Sequence, residues 1–69
     1  MTQCQEIIEY LDQNGSITPA EAFVELNIYR LAARISDLRR QGYRIETEIM
    51  SARNWKGKLV HFAKYKKAV

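Results

Sequence analysis

NIYRLAARISDLRRQGYRIETE, residues 27–48, holds two periodicities in succession. Up to Gln41 the apolar residues Ile28, Leu31, Ile35 and Leu38 recur at intervals of three and four, the spacing of one buried helical face. After Gly42 the interval is two. Tyr43, Ile45, Thr47 and Ile49 fall on one side and Arg44, Glu46 and Glu48 on the other, which is the alternation of a strand. Gly42 lies at the switch, where a left-handed residue commonly ends a helix. The stretch therefore predicts a helix over about 29–41 and a strand over about 43–50.

The same helix carries Arg30, Arg34, Arg39 and Arg40, in a chain whose first 28 residues contain no Lys or Arg. At about 100° per residue, Tyr29, Arg30, Ala33, Asp37 and Arg40 fall opposite the apolar seam, with Arg34 at one flank. Arg39 falls beside the seam, which predicts a stem laid over the core and an acidic partner for its guanidinium. Asp37 stands three residues from both Arg34 and Arg40, a spacing at which a carboxylate pairs with arginines on its own helix and orients them.

Upstream, the stretch SITPAEAFVEL begins a second helix over about 19–26. Thr18 caps it, Pro19 fits its first position, and Glu21 completes the Thr-x-x-Glu box by reaching back to the cap. Ala22, Phe23 and Leu26 are its expected core residues. Before it, Cys4, Ile7, Ile8 and Leu11 mark the buried face of a first helix over about 2–14, with Thr2 and Gln5 as a capping box and Asn14-Gly15 as the stop. The lone Ile17 between the helices is a candidate for a very short strand beside a later hairpin.

Downstream, LVHFAKYK supplies a second strand over about 59–66, and the polar segment SARNWKGK makes residues 51–58 the loop of an antiparallel hairpin. Arg53, Asn54, Trp55, Lys56 and Lys58 cluster in that loop. Trp55 has two readings: an aromatic packing on a ligand among basic groups, or a ring folded back over the hairpin as a lid. Lys64, Lys66 and Lys67 either add phosphate contacts or protect an edge strand.

Three helices followed by a hairpin in one domain, residues 1–69, is an α+β order, that of a winged helix-turn-helix with a possible third strand at Ile17. The segment SITPAEAFVELNIYRLAARISDLRRQGYRIETE, residues 16–48, resembles the helix-turn-helix domains of many small phage and prophage proteins, through its ITP-A opening and I-RLAARI-DLR-QGY-I-T core. The resemblance implies a winged helix fold and a DNA ligand. It implies no single activity.

Charge points to the same ligand without it. Residues 1–28 carry a net −5 and residues 29–69 a net +8, which makes the folded chain an electrical dipole whose basic side attracts a polyanion. A B-form major groove, about 12 Å wide, admits one helix, and arginines on that helix can bond guanine or phosphate, with Arg30 and Arg34, one turn apart, as the first candidates. The expected DNA-contacting set is Tyr29, Arg30, Ala33, Arg34, Asp37, Arg40, Arg53, Asn54, Trp55, Lys56 and Lys58, in a small regulator of transcription. Ser36 could also donate to a phosphate.

A homodimer is expected to raise specificity, since a single module covers only about 600–1,000 Å² of surface. The rival reading is a protein-interaction module that inhibits or redirects a host nucleic-acid-processing complex. Catalysis is not expected, because His61 is the only histidine and no phosphate loop or metal-ligand spacing is present. No cofactor and no small-molecule substrate follow from the residues. One cysteine permits no intrachain disulfide, and no signal peptide or membrane span is evident, so the expected location is the cytoplasm.

Overall fold

Two capping boxes start the chain's first two helices. The computed structural model describes residues 2–68, so the two terminal residues of the expected 1–69 domain lie outside the described residues. Helix α1 spans Gln3–Asn14, with Thr2 accepting from the Gln5 amide and the Gln5 side chain accepting from the Thr2 amide. Helix α2 spans Pro19–Leu26, and Thr18 and Glu21 make the same reciprocal pair. Each box satisfies amide donors that a helix start leaves unpaired, typically worth about 1 kcal/mol. Gly15, at φ 86°, and Asn27, at φ 57°, stop the two helices in the left-handed region.

Helix α3 spans Leu31–Arg40, shorter at both ends than the 29–41 its pattern predicts. Tyr29 and Arg30 belong to the turn, because Asn27 reverses the backbone, the Ile28 amide bonds the Ala22 carbonyl, and Arg30 takes ψ 63°. Gly42, at φ 103°, ends the helix with the Tyr43 amide bonded to the Leu38 carbonyl.

Strand β1 spans Ile45–Arg53 and β2 spans Leu59–Lys67, paired antiparallel from Ile45 opposite Lys67 to Arg53 opposite Leu59. Both outrun the expected 43–50 and 59–66, and the 51–58 loop contracts to residues 54–58. Ser51, Ala52 and Arg53 are drawn into the ladder opposite His61, Val60 and Leu59. The expected bridge at Ile17 is present: its amide and carbonyl both bond Tyr65 at 2.8 Å, adding one residue of a third strand on the far side of β2.

Ile7, Leu11, Ile17, Ala22, Ile28, Leu31, Ile35, Leu38, Ile45 and Tyr65 form the core, so every element contributes to one cluster. Each large aliphatic side chain withdrawn from water stabilises the fold by about 1.5–3 kcal/mol. Cys4, Ile8, Leu26 and Ala63 pack at its edge. Phe23 does not join it as expected. It is 51% exposed and rests instead on Tyr29, with ring centroids 5.1 Å apart, because α2 turns Ala22 rather than Phe23 inward.

The β1 alternation also delivers less burial than its pattern suggests, since Ile45 is buried while Ile49 is 66% exposed. The helices cover only the base of the hairpin. Across the helices, the Tyr10 hydroxyl donates to Glu21, and its pKa is raised by burial and by the charges of Glu21 and Glu25. Lys67 pairs with Asp12 at 2.8 Å, tying the end of β2 to α1.

Candidate nucleic-acid interface

The outward side of α3 is built from small residues with cations around them. Leu31, Ile35 and Leu38 are buried, which leaves Ala32, Ala33, Ser36, Arg39 and Arg40 exposed. Side chains this short let a helix backbone approach a surface closely. Ala33 was expected on this face. Ala32 was not, although its angle of about 100° from Leu31 already placed it clear of the seam.

The opening turn of α3 is held by Ile28, 1% exposed, so that Tyr29 and Arg30 stand out into solvent directly ahead of the helix. Arg30 occupies the cap position and makes no side-chain capping bond. The first amides of α3 therefore remain open to an outside acceptor, and a helix start favours negative charge.

Asp37 ties down the middle of the face. Its carboxylate accepts from Arg34 at 3.1 Å through one oxygen and from Arg40 through the other, the pairing its spacing predicts. The two arginines differ. The Arg34 side chain is 36% exposed and its Nε is buried without a hydrogen-bond partner among the described residues, whereas the Arg40 side chain is 77% exposed. Arg34 is thus held at the flank, and Arg40 can swing outward at the cost of a solvent-screened ion pair worth under about 1 kcal/mol.

Arg39 takes a partner other than the acidic one expected. Its Nε and Nη2 donate to the Ile45 carbonyl at 3.1 and 2.7 Å, and Nη2 also donates to the Thr47 hydroxyl at 2.8 Å. The strand passes close enough for its carbonyl to replace a carboxylate. The last turn of α3 is thereby fastened to the base of the hairpin.

At the other end of the hairpin a tight turn gathers the remaining expected residues. Asn54 Oδ1 accepts from the Lys56 and Lys58 amides, both at 3.0 Å, and Arg53 Nη1 donates to the Gly57 carbonyl at 2.8 Å. Asn54 is therefore a builder of the turn. Lys56 and Lys58 remain exposed, with Lys56 Nζ 5.1 Å from the centre of the Trp55 ring. Trp55 is 89% exposed, which removes the lid reading: the turn lies past everything the ring could cover.

The structure thus separates the expected set into a helix group, Tyr29, Arg30, Ala33, Arg34, Asp37 and Arg40, and a hairpin-tip group. Of the three tail lysines, Lys66 pairs with Glu48 at 3.2 Å and Lys67 with Asp12, while Lys64 is half-buried at the base. His61 Nδ1 shares a hydrogen bond with Ser51 Oγ at 3.0 Å across the hairpin. Among the described residues, no three His, Cys, Asp or Glu side chains are grouped to hold a metal, and no helix is long and apolar enough to cross a membrane.

No curated protein and no solved structure matches the chain. The family model described as a winged helix-turn-helix domain matches residues 2–67, which takes in all three helices and both strands. With a match of that extent, and with the element order of the fold in place, the chain belongs to the winged helix-turn-helix domain family, a membership that suggests DNA binding.

Proposed function

We propose that the protein binds double-stranded DNA in a sequence-dependent manner, with α3 in the major groove and the hairpin tip along the backbone or in the adjacent minor groove. It would act as a small cytoplasmic regulator of transcription, of the phage type that residues 16–48 resemble. One observation carries the reading: the exposed face of α3 is short-chained at Ala32, Ala33 and Ser36, and cationic at both ends through Arg30 and Arg40. Short residues admit the helix into a groove, and guanidinium groups at its ends reach base edges or phosphates. The eight-step rise of β1 is about 26 Å, longer than the half turn of about 17 Å that separates successive grooves.

Arg30 and Arg40 are the proposed readers and Tyr29 a phosphate donor, with Arg34 and Asp37 as positioning residues. Arg53, Lys56 and Lys58 supply backbone contacts from the tip. The test is anisotropy titration of a mixed-sequence duplex library at fixed salt, followed by selection of the bound fraction. Arg30→Ala with Arg40→Ala is expected to weaken binding by at least tenfold and flatten the sequence preference, as loss of a base contact worth about 1–3 kcal/mol predicts. Lys56→Ala with Lys58→Ala should weaken all duplexes alike and reduce the salt slope. Equal affinity of the arginine variant and the parent would overturn the assignment of α3.

The protein-interaction reading is favoured by a different observation, the exposed apolar side chains Phe23, Val24, Tyr29 and Ile49. These also offer a surface to a homodimer. A stoichiometric protein partner recovered after nuclease treatment, together with duplex affinity no better than about 10⁻⁴ M, would decide for it.

A further inference from the structure

Trp55 is the most exposed large apolar side chain among the described residues, at 89%, and no other ring shares its surface. Phe23 and Tyr29, by contrast, cover part of each other. An indole in water forgoes a large burial gain, and aromatic residues in folded proteins usually find a partner for it. Among the described residues only the Lys56 ammonium, 5.1 Å from the ring centre, lies over Trp55. The ring sits beyond Arg53 and Leu59, the last ladder pair of two nine-residue strands, and the helices cover only the opposite end of the hairpin.

The backbone that carries the ring is fixed. Besides the two amides held by Asn54 Oδ1, the Asn54 amide bonds the Lys58 carbonyl at 3.0 Å and the Gly57 amide bonds the Asn54 carbonyl at 2.9 Å, with Gly57 at φ 77°. A ring presented on an ordered turn loses little freedom when it is captured. Its surroundings name the class of partner. Arg53, Lys56 and Lys58 flank it, and no Asp or Glu occurs after Glu48 in the sequence. The complement of this tip is an apolar surface rimmed by negative charge, and a stack of bases between two phosphate backbones has that form.

We propose that Trp55 is an insertion wedge: the indole enters between base pairs from the minor groove and kinks the duplex, while Arg53, Lys56 and Lys58 hold the phosphates on either side. The proposal rests on the DNA-binding reading above and adds to it a deformation of the ligand. Lys56, now 5.1 Å from the ring centre, turns to a phosphate as a base takes its place against the indole. Partial unstacking offsets much of what stacking on the ring contributes, so the wedge acts more on DNA shape than on affinity. Pyrimidine–purine steps, which unstack most easily, are its preferred point of insertion.

Trp55 is the only tryptophan in the chain, so its fluorescence reads the tip alone. The probe is a duplex of about 30 base pairs carrying central TA and CA/TG steps, with a fluorophore pair at its ends to report bending. Quenching of Trp55 and a shortened end-to-end distance on binding are the expected results. Trp55→Ala should lose the bend while weakening binding by less than about tenfold, because unstacking offsets part of one base–aromatic stack, and Trp55→Phe should restore most of both.

Duplex binding that remains sensitive to Arg30→Ala, with unchanged Trp55 emission and an equal bend in Trp55→Ala, would overturn the wedge and leave the DNA-binding reading standing. Absence of duplex binding in the parent protein would overturn both. A blue shift of Trp55 on phosphatidylserine vesicles, without quenching by the duplex, would assign the tip to a membrane surface and likewise overturn the proposal.

Discussion

The two halves of the hairpin have the same local structure and opposite surroundings. At its base, Ile45 and Tyr65 are buried, Ile17 pairs with Tyr65, Arg39 grips the Ile45 carbonyl, and Lys67 reaches Asp12. Beyond Met50 the same ladder continues with Ser51, Ala52 and Arg53 and their partners all exposed, Leu59 at 50% and Val60 at 36%. An isolated two-stranded hairpin is marginal in water. The distal half therefore depends on the anchored base behind it and on the hydrogen-bonded turn ahead of it. The base holds the fold together, and the distal half extends its reach.

The difference can be broken most severely at the base. Ile17→Ala removes a fully buried side chain at the bridge that ties β2 to the segment between α1 and α2, and is expected to cost about 2–5 kcal/mol in denaturant unfolding. Arg39→Met keeps an apolar stem and deletes three hydrogen bonds, so a loss of about 1–2 kcal/mol is expected, with chemical-shift changes in both α3 and β1. Asn54→Ala acts on the other half. It should cost no more than about 1 kcal/mol globally while accelerating exchange of the Lys56 and Lys58 amides, leaving the Tyr65 amide protected.

Smallest of all, Ile49→Thr should change stability by no more than about 0.5 kcal/mol, although Ile49 lies on the same face as Ile45. A loss as large as that of Ile17→Ala would mean that the distal face is covered in solution, and would point to a dimer built on it.

The same contrast governs what could be read from the residues alone. Both capping boxes, the Asn14-Gly15 stop and the pairing of Asp37 with Arg34 and Arg40 were legible because each is settled within four residues. The bridge at Ile17 was legible as an apolar residue isolated between two helix signals. Periodicity misplaced the start of α3, since Tyr29 and Arg30 fit the helical pattern and only the left-handed Asn27 and the burial of Ile28 take them out of it.

Arg39 was expected to find a carboxylate, because a partner carbonyl brought in by chain passage leaves no mark in the pattern. Trp55 stayed open between two readings for a related reason. Its exposure depends on how far the ladder runs, and Ser51, Ala52 and Arg53 looked like loop until their partners were known. On the proposed interface, the exposed arginines were visible in the sequence, whereas the half-buried state of Arg34 was not.

Arg39 also bears on the solubility of the chain. Backbone groups alternate in direction along a strand, and Tyr65 turns its own toward Ile17, so the carbonyls of Ile45, Thr47 and Ile49 point away from β2 along an edge that no strand covers among the described residues. An uncovered edge is a template on which a second molecule can pair and aggregate. The guanidinium of Arg39 occupies the first of those carbonyls, so strand addition from another molecule cannot begin at the base, where the sheet is most firmly ordered. It is left to the distal half, which lies farther from the core. A variant lacking this guanidinium is expected to show turbidity at high protein concentration in addition to its loss of stability.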